Sequence, residues 1–354
     1  MSIKEFIEKD LVHVDIDALH KYFSNKNILV TGAAGSVGSI ICEELINFNP
    51  ASIIAFDIDD TRLYELSLKI DRKELIPYLG NITDIYSLSH LMHKYPIDVI
   101  IHSAALKHVP LLEHNPIMAL NVNVFGTKNI LNMMTANTNI QQLIHISTDK
   151  AVGPISILGV TKYINELDCL EYAVAHNKKV MSVRFGNIYG SRGSVVPIFE
   201  NQIKNKKDLT ITDIKMNRYF IKPKDAVLLT LQSCLYNKPG GNMYTFDMGE
   251  PFYIIDIAKY LIKKHNLILG KDININIVGN RSGEKLSEKL TDIDEYTKET
   301  PHNKIWEIGG HVKIDLSPLN ELLEKSTKYV PDLDNIICNL IKDRKQHEKN
   351  RTKN

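Results

Sequence analysis

The chain has 354 residues, of which 44% are apolar, and its charged side chains balance to a net charge of +1. This length allows one large α/β domain with a smaller lobe, and the near-neutral charge gives no electrostatic reason to expect a nucleic-acid partner. The four cysteines show no Cys-x-x-Cys spacing, the N-terminus has no signal-peptide pattern and no apolar run approaches the roughly 18 residues of a membrane-spanning helix, so we expect a soluble, cytoplasmic protein without a disulfide framework, metal site or membrane span.

Apolar periodicity predicts a helical arm over residues 1–26, followed by a regular alternation of strands and helices. The predicted strands are residues 28–31, 52–57, 76–80, 99–103, 143–147 and 179–185. Helical segments lie between these strands, which is typical of a doubly wound parallel sheet. Residues 27–185 are therefore predicted to form a Rossmann-type NAD-binding domain.

The alternation loosens after residue 185 into turns rich in glycine, proline and asparagine. Residues 186–340 are predicted to form a smaller C-terminal α/β lobe that holds the substrate and is partly interleaved with the first domain. Its predicted helices are residues 254–264 and 319–325. The tail 341–354 is polar, carries charges of both signs and is predicted to be disordered.

The first predicted strand runs into the pattern Gly-x-x-Gly-x-x-Gly, which indicates a dinucleotide site. Gly32 permits a tight turn, Gly35 lets the backbone approach a pyrophosphate, and Gly38 lets the next helix pack closely on the sheet. The N-terminus of that helix then offers N–H groups to the phosphates. The residues assigned to this loop are Gly32, Ala34, Gly35, Ser36, Val37 and Gly38.

Asp57 ends the second predicted strand, 19 residues after Gly38. A carboxylate at this place accepts hydrogen bonds from a ribose 2′-hydroxyl and repels a 2′-phosphate, so NAD is favoured as the cofactor. Arg62 close by keeps NADP open as the alternative. Two further pairs at the ends of the third and fourth strands are assigned to the cofactor: Asn81 and Ile82 near the adenine, Ala104 and Ala105 along its length.

Several motifs together resemble those of extended short-chain dehydrogenases/reductases. They are residues 31–38, 104–110, 123–127, 147–151, 184–194, 217–220 and 281–285. The resemblance covers residues 10–290 and is closest to the nucleotide-sugar 4,6-dehydratases of bacterial polysaccharide and glycan synthesis. Residues 10–27 resemble the segment that precedes the catalytic domain in membrane-anchored relatives, so we expect a soluble form of that domain.

The resemblance implies a lyase that converts UDP-N-acetylglucosamine to a UDP-2-acetamido-2,6-dideoxy-4-keto-hexose, with retention at carbon 5. Such enzymes oxidise sugar carbon 4 with bound NAD⁺, eliminate water across carbons 5 and 6, and return the hydride to carbon 6. They need an acid and a base side by side. Asp149 is expected to be the acid at the carbon 6 hydroxyl and Lys150 the base at carbon 5, with Thr148 beside them. Residues 147–162 are predicted to open a helix after a strand, and Lys162 on that helix is expected to hold the nicotinamide ribose.

The chain departs from the family pattern at Leu158. The family's Tyr-x-x-x-Lys pair has its lysine here at Lys162, but leucine stands where the tyrosine would be. The tyrosine normally takes the proton from the carbon 4 hydroxyl, which leucine cannot do. One branch of the family carries methionine at this position, and there the aspartate of Thr-Asp-Lys looks like the substitute base. Asp149 is therefore expected to take part in both proton transfers.

A nucleotide sugar brings two phosphates, a ribose and a base to the second lobe. Arginine forks match a diphosphate, so Arg218 and Arg281 are assigned to it, and Glu284 is assigned to the ribose hydroxyls. The other residues assigned to the substrate are Lys107, His108, Asn187, Arg192 and Ser194. The histidines around residue 108 lack a third ligand at metal spacing, so we expect no metal site.

Two other functions fit the same sequence. The first is a nucleotide-sugar 4-epimerase, but related epimerases usually have small residues where Asp149 and Lys150 stand. The second is a catalytically silent nucleotide-sugar-binding protein that lost turnover with its tyrosine. Retention of Thr148, Asp149, Lys150 and Lys162 together argues against a silent site.

The expected assembly is a homodimer or a higher homo-oligomer. The segments 118–135 and 159–176 are predicted helices that carry apolar faces. The resemblance implies that such helices pair as a bundle between subunits. The expected partners are thus a second copy of the chain and a UDP-sugar, and no nucleic acid.

Overall fold

The computed structural model describes residues 2–310, and the predicted helix 319–325 and tail 341–354 lie outside them. The strands are β1 (Asn27–Thr31), β2 (Ser52–Asp57), β3 (Leu75–Leu79), β4 (Val99–His102), β5 (Gln142–Ile146), β6 (Lys179–Arg184), β7 (Asn187–Ile188), β8 (Leu209–Ile211), β9 (Asn217–Arg218), β10 (Phe220–Ile221), β11 (Asn242–Phe246), β12 (Phe252–Tyr253), β13 (Ile275–Ile277), β14 (Tyr296–Glu299) and β15 (Ile305–Gly309). Each of the strands predicted between residues 28 and 185 is present, within one residue at either end.

The helices connect these strands. They are α1 (Ile3–Glu8), α2 (Ile16–Phe23), α3 (Gly38–Leu45), α4 (Asp60–Ile70), α5 (Ile85–Lys94), α6 (Val109–Glu113), α7 (Pro116–Ala119), α8 (Gly126–Ala136), α9 (Ile157–His176), α10 (Val195–Lys204), α11 (Pro223–Ser233) and α12 (Ile254–Lys264). A π-helical turn, Leu120–Phe125, joins α7 to α8, and 3₁₀ turns lie at Ile46–Phe48 and Asp149–Ala151. Within residues 2–310, no helix is long and apolar enough to cross a membrane.

The centre of the molecule is one mostly parallel sheet. Among the described residues it has nine strands in the order β14-β15-β11-β6-β5-β4-β1-β2-β3. Seven neighbouring strands of this order are parallel: β11, β6, β5, β4, β1, β2 and β3. Strand β15 pairs antiparallel with β11, and β14 pairs antiparallel with β15 at the edge. This confirms the predicted α/β fold with a doubly wound sheet. The strand order reverses between β1 and β4, and ligands of such sheets bind at the carboxyl ends of the strands beside that reversal.

Both faces of the sheet are covered by helices, as the apolar strands require. Helices α2, α3, α4 and α11 pack on one face, and α5, α8 and α9 pack on the other. Alternate residues of β1 enter the two cores, with Ile28 and Val30 on the first face and Leu29 on the second. The central strands β4, β5 and β6 are buried on both sides, which holds their carboxyl ends in fixed positions.

The C-terminal part of the chain contributes to both lobes. After the predicted boundary at residue 185, β11, β14 and β15 return to the central sheet. The smaller lobe has its own core between α1, α10, α12 and the strands β8, β10 and β12, with Phe199 and Leu261 fully buried in it. In the described part of the chain, short sheets pair β7 with β10, β9 with β12, and β8 with β13.

The N-terminal arm differs from the prediction of one amphipathic stretch. It forms two helices that contact different lobes, because Ile3 and Phe6 of α1 enter the core of the smaller lobe while Leu19 and Phe23 of α2 enter the first face of the sheet. Asp15 caps α2 by accepting a hydrogen bond from the Ala18 N–H at 2.9 Å. The arm therefore spans the two lobes from outside.

Candidate active site

The glycine loop after β1 has the shape that a dinucleotide needs. Gly32 has φ of +68°, and a Cβ there would lie 2.6 Å from the Ala104 backbone nitrogen at the end of β4. A Cβ on Gly38 would overlap the Gly32 carbonyl oxygen, so α3 packs this closely only with glycine. Helix α3 begins without a side-chain cap, which leaves the first N–H groups of the helix for another acceptor.

Asp57 lies beside this loop at the end of β2. Its Oδ2 accepts a hydrogen bond from the Ala34 N–H at 2.8 Å, and its Oδ1 accepts one from the Asp59 N–H at 3.0 Å. The carboxylate thus fixes the glycine loop to the end of β2, and its contact with a ribose stays a prediction. Arg62 forms an ion pair with Asp59 at 3.4 Å, so its guanidinium has a local acidic partner.

The end of β3 lies next to a cavity of about 480 Å³. Asn81 lines this cavity, and its Oδ1 accepts a hydrogen bond from the Thr83 N–H at 3.0 Å. Ile82 is buried against Gly126, where a Cβ would overlap its side chain. The two residues predicted to lie near the adenine, Asn81 and Ile82, are therefore beside this cavity and beside the start of α8, which packs closely here.

Thr148, Asp149 and Lys150 follow β5 and form a compact polar cluster. Thr148 precedes the 3₁₀ turn Asp149–Ala151, and α9 begins only at Ile157, so the prediction that this stretch directly opens a helix was wrong in its first residues. Asp149 is fully buried, and its Oδ1 accepts hydrogen bonds from Thr148 Oγ1 and Lys150 Nζ, both at 2.9 Å. Within residues 2–310 its Oδ2 has no hydrogen-bond partner. Asp149 Oδ1 is thus engaged in two hydrogen bonds, whereas Oδ2 can still accept one.

Lys150 has further neighbours from two other segments. Its Nζ donates to Asn187 Oδ1 at 3.2 Å and lies 3.7 Å from Glu288 Oε1. The predicted substrate residue Asn187 therefore contacts the predicted base in this structure. Glu288 was missed in the sequence, because nothing local to it indicates that residues near 288 reach the end of β5.

Lys162 is buried beneath the site on α9. Its Nζ donates to the Ile146 carbonyl at 2.8 Å and to His145 Nε2 at 3.3 Å. Burial lowers the pKa of Lys162 to about 8, although Cys169 and Glu166 oppose the shift. Burial and the nearby Lys162 hold the pKa of His145 well below its ordinary value, so this imidazole is neutral and its Nε2 accepts the hydrogen bond.

A second buried histidine, His102 at the end of β4, lies beside the first, with the two ring centroids 6.0 Å apart. His102 Nδ1 lies 2.7 Å from Thr31 Oγ1 and its Nε2 lies 3.0 Å from Thr127 Oγ1. Burial, followed by the charge of Lys162, lowers the pKa of His102 to about 3. The only sequence signal was a histidine within each of two apolar strands.

Leu158 occupies an apolar position on α9. It is 4% exposed and packs in a small cluster with Val109, Leu112 and Ala119. The position that carries a phenol in the family pattern is therefore filled by packing from α6 and α7. The Asn123 side chain fixes the backbone of Leu106. It accepts a hydrogen bond from the Leu106 N–H at 2.8 Å and donates one to the Leu106 carbonyl at 3.1 Å.

Two loops meet over the cleft. Arg192 donates to the Ala34 carbonyl, and its Nε donates to Ser36 Oγ at 3.4 Å, so this predicted substrate residue contacts the glycine loop. Partial burial and Arg192 lower the pKa of Lys107. Burial and Lys107 likewise lower the pKa of His108.

The remaining predicted substrate residues occupy different environments. Arg218 is buried, and its guanidinium donates to the carbonyls of Asn217 and Lys285, each at 2.7 Å. Arg281 is exposed. In the described part of the chain, Ser194 Oγ and Glu284 Oε2 are buried without a hydrogen-bond partner. Assignment of these residues to the nucleotide stays a prediction.

The chain is similar in sequence to known proteins over most of its length. Residues 28–309 match the family described as polysaccharide biosynthesis protein. The capsular polysaccharide biosynthesis protein CapD of Staphylococcus aureus is 34% identical over 91% of this chain and 54% of its own length. The UDP-N-acetylglucosamine 4,6-dehydratase (inverting) of Campylobacter jejuni is 33% identical over 86% of this chain and 90% of its own. The UDP-glucose 4-epimerase of Rickettsia felis is 32% identical over 83% of this chain and 84% of its own.

A solved structure supports the same relationship. The structure of Pen from Bacillus thuringiensis has a TM-score of 0.75 and 28% sequence identity, over 83% of this chain and 90% of that one. This chain spans about half the length of the Staphylococcus aureus relative, 54%. The fold, the glycine loop and the matched residues 28–309 lead to one conclusion. The chain belongs to the polysaccharide biosynthesis protein family, a group of extended short-chain dehydrogenases/reductases.

Proposed function

We propose that this chain is a NAD-dependent nucleotide-sugar 4,6-dehydratase that acts on UDP-N-acetylglucosamine. The observation that carries the proposal is the pair of Asp149 and Lys150, joined at 2.9 Å at the end of β5, with Asp149 Oδ2 buried and, in the described residues, without a partner. An adjacent acid and base is what water elimination across two carbons requires. The relative named as a UDP-N-acetylglucosamine 4,6-dehydratase, with 33% identity, supports this substrate.

The glycine loop fits the cofactor that this reaction needs. Glycine at positions 32 and 38 lets the loop pack closely against Ala104 and against itself, and α3 begins without a side-chain cap, which supports a pyrophosphate at this helix N-terminus. Asp57 favours a free 2′-hydroxyl, and hence NAD over NADP. When bound, NAD⁺ supplies the hydride acceptor for sugar carbon 4 and the hydride donor for carbon 6.

The first proton transfer is assigned to Thr148 and Asp149. The Thr148 hydroxyl donates to Asp149 Oδ1 at 2.9 Å, so the proton of the carbon 4 hydroxyl can pass through Thr148 to the carboxylate. Asp149 then holds this proton. Lys150 is 20% exposed at its side chain and releases its own proton to water in the cleft.

The second step uses the protonation states that the first has produced. The neutral Lys150 amine takes the carbon 5 proton, and Asp149 gives its proton to the carbon 6 hydroxyl, which leaves as water. The pair returns to ammonium and carboxylate, 2.9 Å apart. Lys150 then returns the proton to carbon 5 and takes one up again from solvent. Because one amine removes and returns this proton, retention at carbon 5 is proposed, in contrast with the relative named inverting.

The test is to incubate the pure protein with UDP-N-acetylglucosamine and follow the sugar by mass spectrometry and proton NMR. Loss of one water with a 4-keto, 6-methyl product is expected, and the NMR couplings report the configuration at carbon 5. Lys150→Met is the matched variant that should lose dehydration while still binding the nucleotide sugar. Binding without any change in the sugar would contradict the proposal.

A second candidate is a nucleotide-sugar 4-epimerase, because a relative with 32% identity is named UDP-glucose 4-epimerase. Epimerisation leaves the mass of the sugar unchanged and inverts carbon 4. The same incubation therefore separates the two candidates, since only dehydration removes water. The buried Asp149–Lys150 pair favours dehydration.

A further inference from the structure

Glu288 is a buried carboxylate that the proposed reaction has not used. The residue is 4% exposed. Its Oε1 lies 3.7 Å from Lys150 Nζ, and its Oε2 lies 3.2 Å from Lys285 Nζ. Burying a carboxylate is unfavourable unless cationic or hydrogen-bonding partners meet it. The two lysines are these partners, and one of them is the proposed base.

The backbone around Glu288 is held in place by the predicted substrate residue Arg218. Its guanidinium donates to the carbonyls of Lys285 at 2.7 Å and Leu286 at 3.1 Å. Ser287 Oγ donates to Asn217 Oδ1 at 2.8 Å. Segment 285–288 is therefore tied to β9, which limits where the Glu288 carboxylate can lie.

The same segment also contacts the turn that carries the catalytic pair. Lys285 Nζ donates to the Val152 carbonyl at 2.6 Å, one residue beyond the 3₁₀ turn Asp149–Ala151. Glu288 thus approaches Lys150 from a segment that is anchored on two sides. A lysine side chain has many rotamers, and an anchored carboxylate restricts them.

We infer that Glu288 is a positioning residue that, with Asn187, holds the Lys150 amine beside Asp149, where it meets sugar carbon 5. This inference rests on the proposed function. Asp149 Oδ1 and Asn187 Oδ1 accept hydrogen bonds from Lys150 Nζ at 2.9 Å and 3.2 Å, and Glu288 Oε1 lies 3.7 Å from the same nitrogen as an ion-pair partner. Asn187 and Glu288 come from two other segments of the chain, so together they restrict where the amine can lie. The negative charge of Glu288 also stabilises the ammonium that forms when the carbon 5 proton is taken.

The test compares Glu288→Gln with the wild-type holoenzyme. Glutamine keeps the size and one acceptor but removes the charge. We expect kcat for dehydration and the exchange of the carbon 5 hydrogen with solvent deuterium to fall together about 10- to 100-fold, with KM little changed. The single-turnover reduction of bound NAD⁺ by the nucleotide sugar should keep its wild-type rate, because that step does not use Lys150 as a base. Glu299→Gln, an exposed glutamate on β14, is the matched control.

A second readout separates positioning from a structural role. Without the neighbouring anion the Lys150 ammonium is less favoured, so the acidic limb of the kcat profile should move to lower pH in Glu288→Gln. Glu288→Asp, which restores the charge, should recover part of kcat.

Three outcomes would overturn the inference. The first is a Glu288→Gln variant with the kcat and the pH profile of the wild type. The second is an equal loss of NAD⁺ reduction and of dehydration, together with a lowered Tm, in both Glu288 variants. A wild-type protein that removes no water from the sugar would instead overturn the proposed function, and the inference with it.

Discussion

Asp149 is a buried carboxylate with one oxygen in hydrogen bonds and, among the described residues, one oxygen without. The residue is fully buried, and in the part of the chain that the structure describes its Oδ2 has no hydrogen-bond partner. Gly186 lies beside it, and a Cβ there would be 3.2 Å from Oδ2. A buried carboxylate oxygen is expected to have a partner. A substrate hydroxyl would provide one, which agrees with the role proposed for Asp149 in proton transfer.

The first prediction concerns Asp149→Asn. The amide keeps the size of the side chain and one acceptor but cannot take up a proton, so both NAD⁺ reduction and water loss should fall about 100-fold or more. Single-turnover absorbance of the reduced nicotinamide measures the first step and mass spectrometry the second. Asp256→Asn, an exposed change on α12, serves as the control. Undiminished NAD⁺ reduction in Asp149→Asn would exclude Asp149 from the first proton transfer.

The second prediction concerns Leu158, whose contacts are with apolar side chains of α6 and α7. Leu158→Met should keep dehydration and lose less than about 1.5 kcal/mol of unfolding free energy, because the change conserves volume. Leu158→Ala should lose about 2–5 kcal/mol by leaving a cavity. Chemical denaturation and kcat measured on both variants test this. Loss of activity in a stable Leu158→Met protein would show that the leucine does more than pack.

The third prediction is a pH dependence that arises from Lys162. Its pKa in the folded protein is about 8, below the ordinary value of 10.5. The ammonium that should hold the nicotinamide ribose is therefore lost as pH rises through about 8, and kcat should decline there. The unfolded chain binds more protons than the folded one between these two values, so the contribution of Lys162 to stability rises with pH over the same window.

Two opposite trends are thus expected above pH 8. The activity falls, and the contribution of Lys162 to the free energy of unfolding increases. The kcat profile and denaturant unfolding at matched pH values measure the two trends, and Lys162→Met should flatten the stability trend over the same window. A kcat that stays constant through the window would contradict the role assigned to Lys162.

At the scale of elements, a buried ion cluster ties the C-terminal strands to β6. Arg184 is 1% exposed, and its Nη2 donates to Glu166 Oε2 on α9 at 2.7 Å while its Nη1 donates to Glu295 Oε2 at 2.7 Å. Glu166 also accepts a hydrogen bond from Ser147 Oγ at 2.5 Å. The cluster therefore joins the helix that carries Lys162 to the segment before β14, immediately behind the catalytic turn.

The fourth prediction is that Arg184→Met destabilises the protein by about 3–5 kcal/mol, because the substitution leaves two buried carboxylates without their cation. The exposed pair of Lys4 and Glu8, 3.8 Å apart, provides the control, since Lys4→Met should change stability by no more than about 1 kcal/mol. Denaturant titrations of both variants measure the difference. Equal small losses would show that the cluster at Arg184 adds little to stability.

At the scale of the whole molecule, the two lobes share their framework. The central sheet takes β11, β14 and β15 from the C-terminal half, and the helices α1 and α2 of the N-terminal arm pack on different lobes. The glycine loop, the turn Asp149–Ala151 and segment 285–288 are thus held by one continuous structure. The predicted homodimer stays a prediction, which light scattering of the pure protein would test.

The fifth prediction concerns cofactor binding and the stability of the whole fold. NAD at 100 times its Kd should raise the unfolding free energy by about 2.7 kcal/mol, because only the folded sheet forms the loop that binds it. NADP at the same concentration should stabilise less, since Asp57 repels a 2′-phosphate. Thermal unfolding with each cofactor measures this. Equal stabilisation by the two cofactors would show that Asp57 does not discriminate between them.

The sequence by itself determined the parallel sheet and the glycine loop, because the strand pattern and the spacing of the glycines are both written in local residue order. Strand periodicity placed β1 to β6 within one residue at either end, and Gly32 and Gly38 are needed for contacts within a short stretch of chain.

Only the tertiary structure decided which distant groups meet the turn Asp149–Ala151. Glu288 approaches Lys150 although the two residues are 138 positions apart in the sequence. Arg218, expected at a diphosphate, donates to backbone carbonyls. His145 contacts Lys162 because β5 and α9 pack together. These contacts depend on how separate segments fold against one another, and no local pattern of residues encodes that.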